Sequence, residues 1–261
     1  MSFDALFAPG GTDSLLLVFC RVTGLMLLAP TFSAKQVPAQ VKVILTVLFT
    51  LLVWPVARAA APGALTLTAA MVLGDVMIGM VLGLAVALIL GAAEMAGEVI
   101  GMQAGLSGAA SIDPVTFTQT PTMGTFIRLL TLTLLLSMDL HLVLLDGLAA
   151  SLKAVPLGTP LAIGAGAKAM ANSAGALFVS ALQIAAPVIV SVLVLNVSLG
   201  LMTKAAPQLQ VMSIAFPVQT GLGLVVLGGA LPFFAAWLNG WRGTYDGTVD
   251  RLLTAFVLAG G

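Results

Sequence analysis

The chain has 261 residues, 60% of them hydrophobic and 8% charged, with ten Lys and Arg balanced by ten Asp and Glu, and a mean hydropathy of +1.15. A soluble domain carries about 25% charged residues, so this composition excludes a soluble globular fold, and it excludes disorder, which needs low hydrophobicity and high net charge. A net charge of zero leaves no basic footprint for nucleic acid, and a single cysteine, Cys20, excludes an internal disulfide framework and a multi-cysteine metal site.

The first twenty residues hold Asp4 and Asp13 and no Lys or Arg, so they do not read as a cleavable signal. A spanning helix needs about 20 mostly apolar residues. Leu15–Ala29 is apolar apart from Arg21 and Thr23, and Pro30 ends it. Val41–Val53 is the second segment, entered through Pro38 and Lys42 and left at Trp54-Pro55. After a polar break at Arg58–Gly63, Ala69–Ala93 holds one charge, Asp75, and continues as helix through Glu94 and Glu98. Phe126–Leu148 follows, with Asp139, His141 and Asp146 in its second half. Val155–Gly166 reads as a loop rich in Gly, Pro and Ala. Ala169–Thr203 and Ala205–Trp241 then run for 35 and 37 residues without a charge. Pro187 should kink the first, and Pro207, Pro217 and Pro232 punctuate the second. The expected fold is all-α and polytopic, with about six hydrophobic helices, or seven if Val249–Ala259 is counted. Basic residues set no orientation: Lys35, Lys42, Arg128 and Lys204 would lie on one side, against Arg58, Lys153, Lys168, Arg242 and Arg251 on the other.

Four features could carry function. Gly79 and Gly83, and the series Gly97, Gly101 and Gly105, place small residues four apart on helix faces. Such faces admit close backbone approach in an apolar setting, either within the chain or against other subunits. On the second alternative, Leu or Asp at Gly101 should block assembly. Buried charge is the next feature. Arg21 and Asp75 lie inside apolar segments, and Glu94 and Glu98 sit one turn apart, where charges usually face a partner or a wet cavity. Lone His141 reads as a satisfied interior side chain, and no second His exists for a typical zinc site. Third, Val99–Ile127 carries only Asp113 as a clear charge once past Glu98, and it is broken by small residues and two X-Pro steps. Irregular backbone at membrane depth is tolerated only inside protein or along a cavity. Fourth, Trp237, Trp241 and Tyr245, spaced by four, fit a membrane-interface belt.

Catalytic signatures are missing: Gly221–Gly229 lacks the Lys-Ser or Lys-Thr of a phosphate loop, and there is no GxSxG. No enzyme activity, no nucleotide hydrolysis and no cofactor are expected.

Several blocks resemble the FliR/SctT family, export-gate subunits of flagellar and virulence type III secretion. They are Arg21-Val22-Thr23-Gly24-Leu25-Met26, Ala29-Pro30-Thr31-Phe32, Val37-Pro38-Ala39-Gln40-Val41-Lys42 and Gly97-Glu98-Val99-Ile100-Gly101-Met102-Gln103 with Asp113-Pro114. They continue through His141, Ser151 and Pro156 to Ala185-Ala186-Pro187, Asn196, Leu199-Gly200-Leu201, Ala206-Pro207-Gln208-Leu209 and Phe216-Pro217. The family commonly has Asn and Phe where this chain has Gln210 and Met212, and a Gly at or near Asp139.

The resemblance, with the flagellar branch favoured, implies a single export-gate domain over 1–261. Amino-terminal helices would occupy 14–105, a pore loop about 106–124, and carboxy-terminal helices 126–261. It implies an inner-membrane location at the flagellar basal body or injectisome base, and a helical hetero-oligomer packed against lipid and other subunits. The partners implied are FliP-type and FliQ-type gate subunits, an FlhB-type switch protein and unfolded exported proteins in transit. On this reading Leu106, Ser107, Gly108, Ala109, Ala110, Ser111, Ile112, Asp113, Pro114, Val115 and Phe117 form the plug. Gly97, Gly101, Gly105, Pro187, Pro207 and Gln208 pack against subunits. Arg21, Asp75, Glu94 and Glu98 are the buried charges. The alternative is a secondary transporter whose broken helices bind an ion through Asp75, Glu94 or Asp139.

Overall fold

A computed structural model of the chain describes residues 10–33, 37–60, 67–106, 122–159, 163–205 and 211–257. Every regular element among them is a helix: α1 (Gly11–Leu28), α2 (Pro30–Ser33), α3 (Ala39–Ala60), α4 (Ala69–Gln103), α5 (Thr122–Ser137), α6 (Leu140–Ala154), α7 (Ile163–Ala205), α8 (Val211–Asn239) and α9 (Trp241–Val257). Five of them, α1, α3, α4, α7 and α8, are long and apolar enough to cross a membrane, and α5 with α6 makes a sixth if the bent pair is one span. The chain is therefore an all-α membrane protein.

Prolines explain where helices stop and where they do not. The residue before a proline is pushed out of the helical region. Ala29 accordingly lies at φ −65°, ψ 117°, which ends α1, and Pro30 opens α2. The expected stop at Trp54-Pro55 is not observed, because α3 runs on to Ala60. Pro55 lies on the exposed side, while Val53, Trp54 and Ala57 are buried around it. The indole Nε1 of Trp54 donates to Ser14 Oγ at 3.0 Å, and Arg58 covers the same ring at 5.6 Å. Core anchoring on both sides of the proline outweighs one lost backbone bond. Likewise Pro187 lies inside α7, and Pro217 and Pro232 lie inside α8, without ending either helix.

Two other boundaries move. The expected single span over Phe126–Leu148 is broken after Ser137, between α5 and α6. Asp139 occupies the break at φ 60°, a left-handed conformation that glycine adopts more readily than any other residue. In addition, α7 begins at Ile163, inside the expected loop.

The fold divides into two compact units that interleave along the sequence: Met1–Ile89, Leu136–Ala174 and Arg242–Gly261 form one, and Leu90–Leu135 with Gly175–Trp241 the other. In the first, α1 crosses α4 at backbone contact. A Cβ on Gly24 would stand 2.2 Å from Val76 O, one on Gly79 1.9 Å from Arg21 O, and one on Gly83 2.8 Å from Leu25 O. The Gly79/Gly83 pair thus serves packing inside the chain. The amphipathic α9 closes this unit by burying Leu252 and Phe256 against Val81 of α4, with Ala169 and Met170 of α7 alongside. In the second unit the core is small and aliphatic: Ala96 and Ile100 of α4 with Ala181, Ala185, Val188 and Val192 of α7.

Candidate functional site

The first unit is organised around one buried ion pair. Arg21 is 0% exposed and Asp75 1%. Two turns of apolar helix on either side leave the guanidinium no route to water, so every donor must find protein. Nε donates to Asp75 Oδ1 at 2.8 Å, and Nη2 donates to the same oxygen. Nη1 donates to the carbonyls of Ser151 at 3.1 Å and Val155 at 3.0 Å, and more weakly to Ser151 Oγ at 3.4 Å. Those carbonyls belong to the last turn of α6 and its cap, where a cation also meets the negative end of the helix dipole. Ser151 Oγ donates in turn to Leu148 O at 2.7 Å. The second Asp75 oxygen accepts from the Gly158 N–H at 3.4 Å, and Gly158 sits at φ 76° in the turn after α6. One arginine and one aspartate thereby join α1, α4, α6 and the 155–158 turn. Chemically this is a closed site. Asp75 is already neutralised and shielded, which removes it as an ion ligand for the transporter alternative.

Glu94 and Glu98, expected as buried charges, are only half-buried. Exposure of their outer atoms follows from their place on the rim of α4. Glu94 pairs with Arg128 of α5 at 3.7 Å, with side chains 32% and 48% exposed. Between them lies Gly97, where a Cβ would stand 2.7 Å from Met123 O and 2.9 Å from Gly124 Cα. A Cβ on Gly124 would in return stand 2.7 Å from Glu98 Cγ and 3.1 Å from Glu94 O. Gly97 therefore faces α5 of its own chain. Gly101 is buried, and at Gly105, at φ 73°, a Cβ would stand 3.1 Å from the ring of Phe216. His141 is exposed, contrary to the interior setting expected for it, because it follows the α5–α6 break on the outer side of α6. Among the described residues no three His, Cys, Asp or Glu come together as a metal-binding group.

The aromatic row does not form a belt. Gly240 separates α8 from α9, so the four-residue spacing does not continue along one helix. Trp241 is 3% exposed and Tyr245 0%, and only Trp237 is partly open, stacked on Phe234 at 6.1 Å. Tyr245 fits over Gly147, where a Cβ would stand 2.7 Å from the phenol oxygen. Burial holds its phenol above the usual range, with Asp246 adding to the effect.

The second unit carries an open apolar surface. Phe178, Leu182, Val190, Val194 and Leu201 on α7 are all more than half exposed, and Val225 and Phe233 on α8 are 73% and 75% exposed. Gly175, Gly200, Gly221, Gly228 and Gly229 have nothing within 4 Å of a built Cβ. Pro187 is exposed on this surface and borders a cavity of about 100 Å³ with Gln183, Val188, Leu227 and Phe234. Sequence reasoning placed close contact at Gly97–Gly105 and missed these open glycines, although Gly221 and Gly228 repeat at seven and share a helix face. Leu106 is half-buried at the end of a described stretch, and the other ten plug residues, Ser107 to Phe117, lie outside the described residues together with Pro207 and Gln208.

Comparison with known proteins agrees with the family blocks. The family model for bacterial export proteins, family 1, matches residues 13–242. The chain is 32% identical over 215 residues to the flagellar biosynthetic protein FliR of Pectobacterium carotovorum, covering 82% of each chain. It is 30% identical over 216 residues to that of Escherichia coli K12, covering 82% of this chain and 83% of the relative. It is 29% identical over 234 residues to that of Caulobacter vibrioides, covering 88% and 93%. With most of its length matched by the model and by these relatives, the chain belongs to bacterial export proteins, family 1, the FliR/SctT family to which its sequence blocks point.

Proposed function

We propose that the chain is a gate subunit of the flagellar type III protein export apparatus in the bacterial inner membrane. It forms the export pore with FliP-type and FliQ-type subunits and meets an FlhB-type switch protein. Unfolded exported proteins pass through, and residues 106–124 close the pore at rest. The role is structural rather than catalytic, and the driving force comes from partners or the membrane potential.

The observation that carries this reading is the open face of α7 and α8. At 1.5 Å per residue, the 43 residues of α7 extend for roughly 65 Å, about twice the hydrocarbon thickness of a bilayer. Lipid can cover only part of such a helix, yet Ala169–Thr203 has no charge to meet water beyond it. Apolar surface of that extent outside a bilayer marks a protein contact. The open glycines supply places where another helix backbone comes close.

The decisive experiment is purification of the tagged chain in mild detergent, followed by identification of what accompanies it. FliP-type and FliQ-type subunits should co-purify in a single complex. A monodisperse monomer that supports export by itself would overturn the proposal. For the plug, shortening Gly108–Ile112 or placing a charge at Ala109 should raise small-ion leakage through the assembled complex, since hydrophobic constrictions seal by excluding water. Unchanged permeability in an assembled variant would make this segment a connector only.

A further inference from the structure

The exit of α4 is held by α8. The last four carbonyls of a helix have no partner within it, and in an apolar environment water does not replace one. Two carbonyls at the end of α4 are instead taken by side chains 116 residues away: the Gln219 amide donates to Gln103 O, and Thr220 Oγ1 donates to Ala104 O at 2.9 Å. The neighbouring contacts fall on the same face of α8. Phe216, one turn before, lies against Gly105, which turns the chain out of the helix at φ 73°. Gly223, one turn after, receives Ala104, whose methyl would be 2.6 Å from a Cβ there. Residues 216, 219, 220 and 223 follow the i, i+3, i+4, i+7 spacing of one helix face. That face is shaped and hydrogen-bonded for residues 103–105. Pro217 stands in the same turn and removes a backbone bond to the preceding turn of α8.

We infer that Gln219 and Thr220 are positioning residues: they fix where the chain leaves α4 and tie that point to α8. A cap on an isolated helix end would need one local side chain, whereas this arrangement spends a whole face of another helix on three residues. The consequence for export rests on the plug reading above, because residue 106 is where the proposed pore segment begins. The geometric part stands without it.

The test uses the assembled complex carrying Gln219→Met and Thr220→Val, which keep volume and remove the donors. Spin labels on Met102→Cys and Leu224→Cys, both exposed positions of this unit, report the separation of α4's end from α8. A single narrow distance distribution should become broad or split in the double variant, and Thr220→Ser, which keeps the hydroxyl, should restore it. Small-ion conductance should rise severalfold at unchanged assembly. An unchanged distribution would overturn the inference. A broadened distribution with unchanged conductance, where shortening Gly108–Ile112 does raise conductance, would support the positioning role and overturn only its consequence for export, since the seal would then not depend on this contact. If shortening the segment leaves conductance unchanged as well, the plug reading fails, and the label distances alone decide whether the two side chains position the exit. Should the double variant not assemble, Thr220→Val alone carries the same measurements.

Discussion

Two helices of similar composition behave in opposite ways. Most of the apolar length of α4 is buried inside the chain, whereas most of that of α8 is open. Both are rich in glycine and nearly free of charge. In α4 the glycines are already used: Gly79 and Gly83 admit α1, and Gly97 admits α5. In α8, Gly221, Gly228 and Gly229 face open space, and only Gly223 is filled, by Ala104. A small residue in an apolar helix therefore marks a place where a backbone can come close, without saying whose. The same contrast holds for charge. Arg21 and Asp75 are sealed in protein, whereas Arg242 and Asp146 meet at 3.2 Å with side chains 61% and 73% exposed.

The contrast breaks most visibly at the buried pair. Replacing Arg21 with Met strands the Asp75 carboxylate and frees two carbonyls of α6. Removing one partner of a buried pair costs about 3–5 kcal/mol, so the variant should give little folded chain on detergent gel filtration. Arg21→Met combined with Asp75→Leu should recover most of it, and failure of that double variant would show that the carbonyl contacts to Ser151 and Val155 outweigh the pair. Next come the glycines. Gly79→Ala forces two helix backbones apart and should cost about 1–3 kcal/mol of stability, read as a lower melting temperature of the purified chain. Gly228→Ala should leave the chain as stable or more so, because alanine favours helix by about 1 kcal/mol. Gly228→Leu should leave the chain folded while reducing what co-purifies with it. Equal loss of stability at Gly79 and Gly228 would erase the distinction between the two regions.

Smaller effects sharpen it. Asp139→Gly relieves a left-handed backbone at the α5–α6 break and should stabilise by about 1 kcal/mol, seen as a rise in melting temperature. Asp139→Ala lacks glycine's freedom and should not. Arg242→Ala removes an exposed pair worth about 0.5 kcal/mol or less, and its effect should fall further as salt is raised. A loss comparable to that of Arg21→Met would mean that the outer pair is shielded by another subunit.

Much of this was legible in the residues. Hydropathy marks the spans, the uninterrupted run past Glu94 and Glu98 anticipates the length of α4, and the blocks around Arg21, Gly97 and Pro187 carry the family. Arg21 and Asp75 are visible as charges in apolar segments, but their pairing is not, because 54 residues of intervening chain say nothing about which helices cross. Pro55, Pro217 and Pro232 read as interruptions and lie within helices; at Pro55, packing of Val53, Trp54 and Ala57 outweighs a single lost hydrogen bond. Tyr245 reads as an interface aromatic and lies in the core, because Gly240 redirects the chain into α9.

What the sequence by itself determined is the class of solvent each segment tolerates and the face on which its small residues lie. Composition and helical period set both, and they are local properties. What only the tertiary structure decided is the neighbour of each face: α1 for Gly79, α5 for Gly97, α8 for the end of α4, and open space for Gly221 and Gly228. The physical reason is that backbone approach and the pairing of buried donors depend on which helices meet. That is a property of three-dimensional packing, and the spacing along one helix does not contain it.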